Sequence, residues 1–68
     1  MKDIAQFVKE NRKKLGLTQE DFSMRTGLGL RFIRELEGGK KTARMDKVNQ
    51  ALSMFGAKLV VGDIRNDD

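Results

Sequence analysis

The sequence has no cysteine and no histidine. Without cysteine there is no disulfide and no thiolate metal site. Without histidine, the usual general base and the commonest metal ligand are both missing. Long apolar runs are missing too. The opening MKDIAQF is too poor in apolar residues for a signal peptide, and no later stretch approaches the roughly 20 residues of a membrane span. A soluble, cytoplasmic chain is the expectation. There is no glycine-rich phosphate loop, because the seven glycines fall at helix ends, in turns or near the C-terminus. Ser23 and Ser53 have no histidine to activate them, and no two carboxylates are arranged for acid–base work. Catalysis, a metal, a cofactor and a small-molecule substrate are therefore not expected.

The 68 residues make one domain at most. A chain of this size buries only about 60% of the surface it exposes when unfolded, so its core is marginal and self-association is a common remedy. Basic charge is in surplus: 14 Lys+Arg against 10 Asp+Glu, a net charge of +4. The surplus is uneven. Residues 31–47 hold six basic side chains (Arg31, Arg34, Lys40, Lys41, Arg44, Lys47) and three acidic ones (Glu35, Glu37, Asp46). The last six residues hold one basic side chain, Arg65, and three acidic ones, Asp63, Asp67 and Asp68. This distribution suits phosphate binding in the middle of the chain. By charge alone it also fits an ordinary solvated face.

Periodicity organises the rest. Residues 3–15 read as a helix with Ile4, Val8 and Leu15 on one stripe and Arg12 beside them; Gly16 ends it. Phe7 lies off that stripe, as either a partly exposed aromatic or a contact with a partner subunit. Thr18 is placed to cap a second helix over 19–26, with Phe22 inward between Gln19 and Thr26. Gly27 stops it, because glycine enters the left-handed region without a Cβ penalty. Ser23 allows a close approach, and Leu28 plugs the turn. A third helix over 30–37 starts from Gly29, turns Ile33 and Leu36 inward, and ends at Gly38 and Gly39. Leu30, Arg31, Arg34 and Glu35 remain outward. Two short helices around a glycine turn form a helix-turn-helix, whose second helix enters a DNA major groove. A basic loop follows. Thr42 is the expected cap of a fourth helix reaching Phe55, with Met45, Val48, Leu52 and Phe55 inward. After Gly56 the period changes to two. Ala57, Lys58, Leu59, Val60 and Val61 read as a strand without an internal partner, which invites a second copy.

The stretch GLTQEDFSMRTGLGLRFIRELEGGK resembles the helix-turn-helix of the phage-repressor (Cro, XRE) family. Gln19, Ser23, Gly27, Ile33 and the run Leu36-Glu37-Gly38-Gly39-Lys40 fall on that family's pattern. LRFIRELEGGK followed by TARMDKV is most similar to the HipB-type antitoxin branch. The resemblance implies an all-α fold of four to five helices with a short C-terminal β-strand pairing across a dimer. Residues 1–56 would form the DNA-binding domain, 57–64 the dimerisation strand and 65–68 a disordered tail. It also implies a phosphate contact from Gln19 and a partly buried ion pair between Arg12 and Glu37. The family usually has Ser or Thr where this chain has Gly29. The expected partners are double-stranded operator DNA, a second copy of the chain and a HipA-like kinase toxin. The alternatives are a plain phage-type repressor without a toxin and a protein-interaction module with weak DNA binding. Arg31 is the expected base contact. Gly29 at the cap and Leu30, Phe32, Arg34 and Glu35 on the same helix are further DNA-binding candidates, and Lys40, Lys41 and Arg44 are expected on phosphates.

Overall fold

The computed structural model describes residues 2–62. Four helices follow in order: α1 (Lys2–Lys14), α2 (Gln19–Thr26), α3 (Leu30–Glu37) and α4 (Met45–Ser53). Among the described residues there is no strand, so the architecture is all-α. The expected tail over 65–68, and the end of the expected dimerisation segment, lie outside the described residues.

In α1, Asp3 sits in the first turn, and Arg12, Lys13 and Lys14 sit in the last, matching the helix dipole at both ends. Its buried stripe is Ala5, Val8 and Arg12. Leu15, expected inward, is 54% exposed. The helix stops at Lys14, and the N–H groups of Leu15 and Gly16 close a turn on the carbonyls of Asn11, Arg12 and Lys13. That turn swings Leu15 off the stripe, and Leu17 packs against the core instead.

α2 opens with a reciprocal cap. Thr18 Oγ1 accepts the Asp21 N–H at 3.0 Å, and the Asp21 carboxylate accepts the Thr18 N–H at 3.1 Å. Gly27 closes the helix at φ 77°, its N–H donating to the Ser23 carbonyl. The turn holds Leu28 by both backbone groups. Thr26 Oγ1 accepts its N–H at 3.2 Å, and Ser23 Oγ donates to its carbonyl at 2.5 Å. The Leu28 side chain is thereby aimed into the core, where it is 5% exposed.

The core joins Val8, Phe22, Leu28, Ile33, Leu36, Val48, Ala51 and Leu52. Phe22 stacks on Phe55 with ring centroids 5.4 Å apart, and Phe7 meets Phe55 edge-on at 5.9 Å. Phe7 therefore has a contact within its own chain and stays 40% exposed.

Several expectations fail around α4. Thr42 does not cap it: Arg44 is the N-cap, with extended backbone and no side-chain cap, and the helix ends at Ser53 rather than Phe55. Met45 is 73% exposed, because it lies in the first turn, ahead of the buried stripe Val48, Ala51 and Leu52. The expected strand is also not formed within the chain. Residues 57–62 have no regular structure. The Ala57 N–H donates to the Leu52 carbonyl at 3.1 Å, and the Leu59 N–H donates to Asn49 Oδ1 at 2.7 Å. Ala57 and Leu59 pack on the core, whereas Lys58, Val60 and Val61 are exposed. The alternation comes from an extended segment laid against α4, which satisfies it without a ladder.

The capping box gives stability a pH dependence. Hydrogen bonds from Thr18 hold the Asp21 carboxyl below its ordinary range. The unfolded chain therefore takes up this proton before the folded one does, so the contribution is complete above the ordinary value and is lost as pH falls through the folded one. Asp21→Asn should lower the melting temperature at neutral pH and melt less pH-dependently through the acid range. Thermal melts of both proteins between neutral and strongly acid pH check this; parallel curves would show that the carboxylate contributes nothing.

Candidate nucleic-acid interface

α3 packs against both α1 and α2, and its back is fixed at several points. Ile33 and Leu36 are fully buried beneath it. At its end Glu37 meets Arg12 of α1: Nε donates to Oε2 at 2.7 Å and Nη2 to Oε1 at 2.9 Å. The third arm of the guanidinium, Nη1, donates to the Leu17 carbonyl at 2.7 Å. The two side chains are 9% and 3% exposed. Gln19, the first residue of α2, donates its amide to Glu37 Oε1 at 3.2 Å. The hydrogen bond to Glu37 raises the Arg12 pKa above its ordinary value. Arg12 and Gln19 thus converge on one buried carboxylate, and Arg12 ties the Leu17 carbonyl to the same cluster.

With its back held, α3 presents the other side outward. Gly29 caps it with backbone alone. Arg31 projects with its side chain 91% exposed, Arg34 is exposed, and Leu30 is half-buried. Glu35 lies between two cations, 3.5 Å from Arg31 Nε and 3.2 Å from Lys40 Nζ. The hydrogen bond from Lys40, followed by its charge, holds the Glu35 carboxyl below its ordinary range. Lys41 is exposed in the loop.

Beside this face a groove of about 390 Å³ separates α3 from the start of α4. Phe32, Leu36 and Ala43 supply its apolar wall, and Lys40, Arg44 and Lys47 supply its cations. Phe32 is half-buried against the core, with the Lys47 ammonium 5.8 Å from its ring centroid. It therefore lies to the side of the outward face of Arg31 and Arg34. Arg44 is engaged by Asp46 at 2.6 and 3.1 Å, and this pairing keeps the Asp46 carboxyl below its usual range. Sequence reasoning counted Lys47 and Asp46 in the charge balance of residues 31–47 but gave neither a contact. Their contacts join a helix to a loop or to another helix, and no spacing within one helix signals that. Among the described residues no three carboxylates converge as a metal site, and no helix is long and apolar enough to cross a membrane.

The structure thus gathers the candidates into three groups: Gln19 with Arg12 and Glu37 at the end of α3, Arg31 and Lys40 around Glu35 on its outward face, and Arg44 beside the groove. The helix-turn-helix domain family matches residues 5–59. The chain belongs to the phage-repressor-like helix-turn-helix family. Within this family the chain is similar to an uncharacterized HTH-type transcriptional regulator, y4mF, of Sinorhizobium fredii (strain NBRC 101917 / NGR234). The two are 42% identical over 57 residues, which cover 84% of this chain and 75% of the relative. No solved structure matches the chain. Every helix of the family's helix-turn-helix lies inside the matched residues, including the buried Arg12–Glu37 bridge.

Breaking that bridge should be costly because it leaves one charge buried. Arg12→Ala is expected to lose about 3–5 kcal/mol. Replacing both partners with apolar residues, Arg12→Met with Glu37→Leu, should lose less than either single change, because no orphan charge remains. Urea titrations of Arg12→Ala, of the double variant and of each of its single changes check the order; a double variant weaker than both singles would refute it.

Proposed function

We propose that this protein is a sequence-specific DNA-binding transcriptional repressor that acts as a dimer, each subunit placing α3 in the major groove of one half-site. The outward face of α3 carries this reading. Arg31 stands at the second position of the helix, almost wholly exposed, on a scaffold pinned from behind by the Arg12–Glu37 bridge. Side chains near the start of a recognition helix reach base edges, whereas later ones and flanking loops meet phosphates. Arg31 suits a bidentate contact to guanine, Leu30 a thymine methyl, and Glu35 a cytosine amino group. Arg34 reaches either a base or a phosphate. Gln19, Lys40, Lys41 and Arg44 hold the backbone and set the register. The name of the Sinorhizobium relative supports transcription regulation.

The finer reading is an antitoxin that represses its own operon and binds a HipA-like kinase toxin encoded beside it. Its support is the similarity of LRFIRELEGGK and TARMDKV to HipB-type antitoxins. A kinase gene beside this one, and capture of its product by this protein, test that role. Dimerisation is supported by Val60 and Val61, exposed by 77% and 99% in the single chain, next to a segment that a second copy can pair with and cover.

Two experiments follow. On the protein's own promoter and on a scrambled duplex, binding is measured across a salt series. Arg31→Ala should lose about 1–3 kcal/mol on the promoter and little on the scrambled duplex. Lys41→Ala, in the exposed loop, should weaken both alike and reduce the salt slope by about one. Equal losses on both duplexes for Arg31→Ala would make it a backbone contact. For assembly, Val60→Pro removes a backbone N–H from any intersubunit ladder and should shift light scattering toward the monomer. An unchanged dimer would place the interface elsewhere.

A further inference from the structure

On the outward face of α3 one carboxylate lies between two cations, Arg31 of the same helix and Lys40 of the loop that follows. Glu35 lies one helical turn after Arg31 and 3.5 Å from its Nε, and accepts a hydrogen bond from Lys40 Nζ at 3.2 Å. The loop is built to keep that contact: the Lys40 backbone N–H donates to the Glu35 carbonyl at 3.1 Å, so both halves of Lys40 are tied to the same residue. Glu37, the other carboxylate of α3, is buried and turned away, which leaves Glu35 as the helix's outward negative charge.

We propose that Glu35 determines specificity by competing with DNA for Arg31 and Lys40, yielding them only to a duplex that offers an amino donor at its own place in the groove. The inference rests on the DNA-binding reading above. Affinity for arbitrary DNA comes from cations meeting phosphates. A cation already paired with a carboxylate of its own protein contributes less to it. When Arg31 turns to a base and Lys40 to a phosphate, Glu35 loses both partners beside a polyanion. A cytosine or adenine amino group restores a partner; guanine O6 and N7 and thymine O4 present only acceptors. One helical turn advances about 5.4 Å, against 3.4 Å between base steps, so Glu35 meets a base one or two steps from the one Arg31 reads. Rejection by an unpaired charge supplies selectivity that favourable contacts alone do not. The pairing with Lys40 keeps Glu35 ionised, as this role requires.

The test uses a duplex enriched from a random library by the wild-type protein, together with the unselected pool. Glu35→Gln should bind the pool about ten-fold more tightly, a gain of about 1.4 kcal/mol. Its salt slope on the pool should steepen, as the carboxylate no longer competes with phosphates for these cations. Its affinity for the enriched duplex should rise less or fall, so the ratio between the two drops. Glu35→Ala, measured beside it, should drop the ratio in the same direction, and thermal melts show which variants remain folded. Asp46→Asn removes a carboxylate that is also paired with an arginine but lies outside α3. It should raise both affinities alike and leave the ratio intact. An unchanged ratio for the Glu35 variants, or an equal drop for Asp46→Asn, would overturn the proposal while the DNA-binding reading stands. A wild-type protein that enriches no sequence would overturn both.

Discussion

One buried guanidinium–carboxylate pair sets the geometry of this domain. The Arg12 fork meets both oxygens of Glu37 in the planar, two-bonded arrangement that only arginine offers. Its third arm holds the connection between α1 and α2, and Gln19 adds the start of α2 to the same carboxylate. Two charges taken out of water are costly, and their attraction offsets that cost only when the remaining donors and acceptors are also satisfied. Here they are: among the described residues no buried side-chain nitrogen or oxygen lacks a partner. The pair therefore contributes most through orientation. It fixes the end of α3 relative to the two helices behind it, and so fixes which side of α3 faces away.

The same chemistry appears twice along α3 with opposite consequences. Arg12 and Glu37 are buried, close and doubly bonded. Arg31 is exposed, Glu35 is half-buried, and the two are 3.5 Å apart at the surface. An exposed pair of this kind is worth little and exchanges readily. The inner pair holds the helix in place, whereas the outer cations can change partners. A surface that hands its cations to a nucleic acid needs this division, since a locked outer pair would withhold them and a loose inner pair would leave the helix unaimed.

The signals legible in the sequence were those written within a few neighbouring residues. Thr18, Gly27 and Gly29 marked the limits of α2 and the start of α3 because caps and left-handed glycines act locally. The inward pattern of Phe22, Ile33 and Leu36 follows directly from helical spacing. The misreadings arose where a helix stopped short of its apolar pattern. Leu15 continued the spacing of Ile4 and Val8, but α1 had already ended, and Arg12 held the buried position one turn earlier. Met45 fitted the stripe of α4 but lies before that helix reaches the core. The alternation after Gly56 was correct as a description of exposure at residues 57–60 and misleading about hydrogen bonding, because period two belongs to any extended backbone. At the candidate site, sequence identified the cations but not their partners. The contacts Lys40–Glu35, Arg44–Asp46 and Lys47–Phe32 depend on how the loop after α3 turns.

The brevity of α3 bears on how the domain comes apart. Eight residues fall well short of the 12–15 at which an isolated helix becomes even marginal in water, so α3 borrows its existence from tertiary packing. Its anchors reach back 25 positions in the chain, to Arg12. An intermediate that lost α1 would also lose these anchors of α3. Cooperative opening from the first helix to the third is then the expectation, with the central amide protons of α3 exchanging at a free energy close to that of global unfolding.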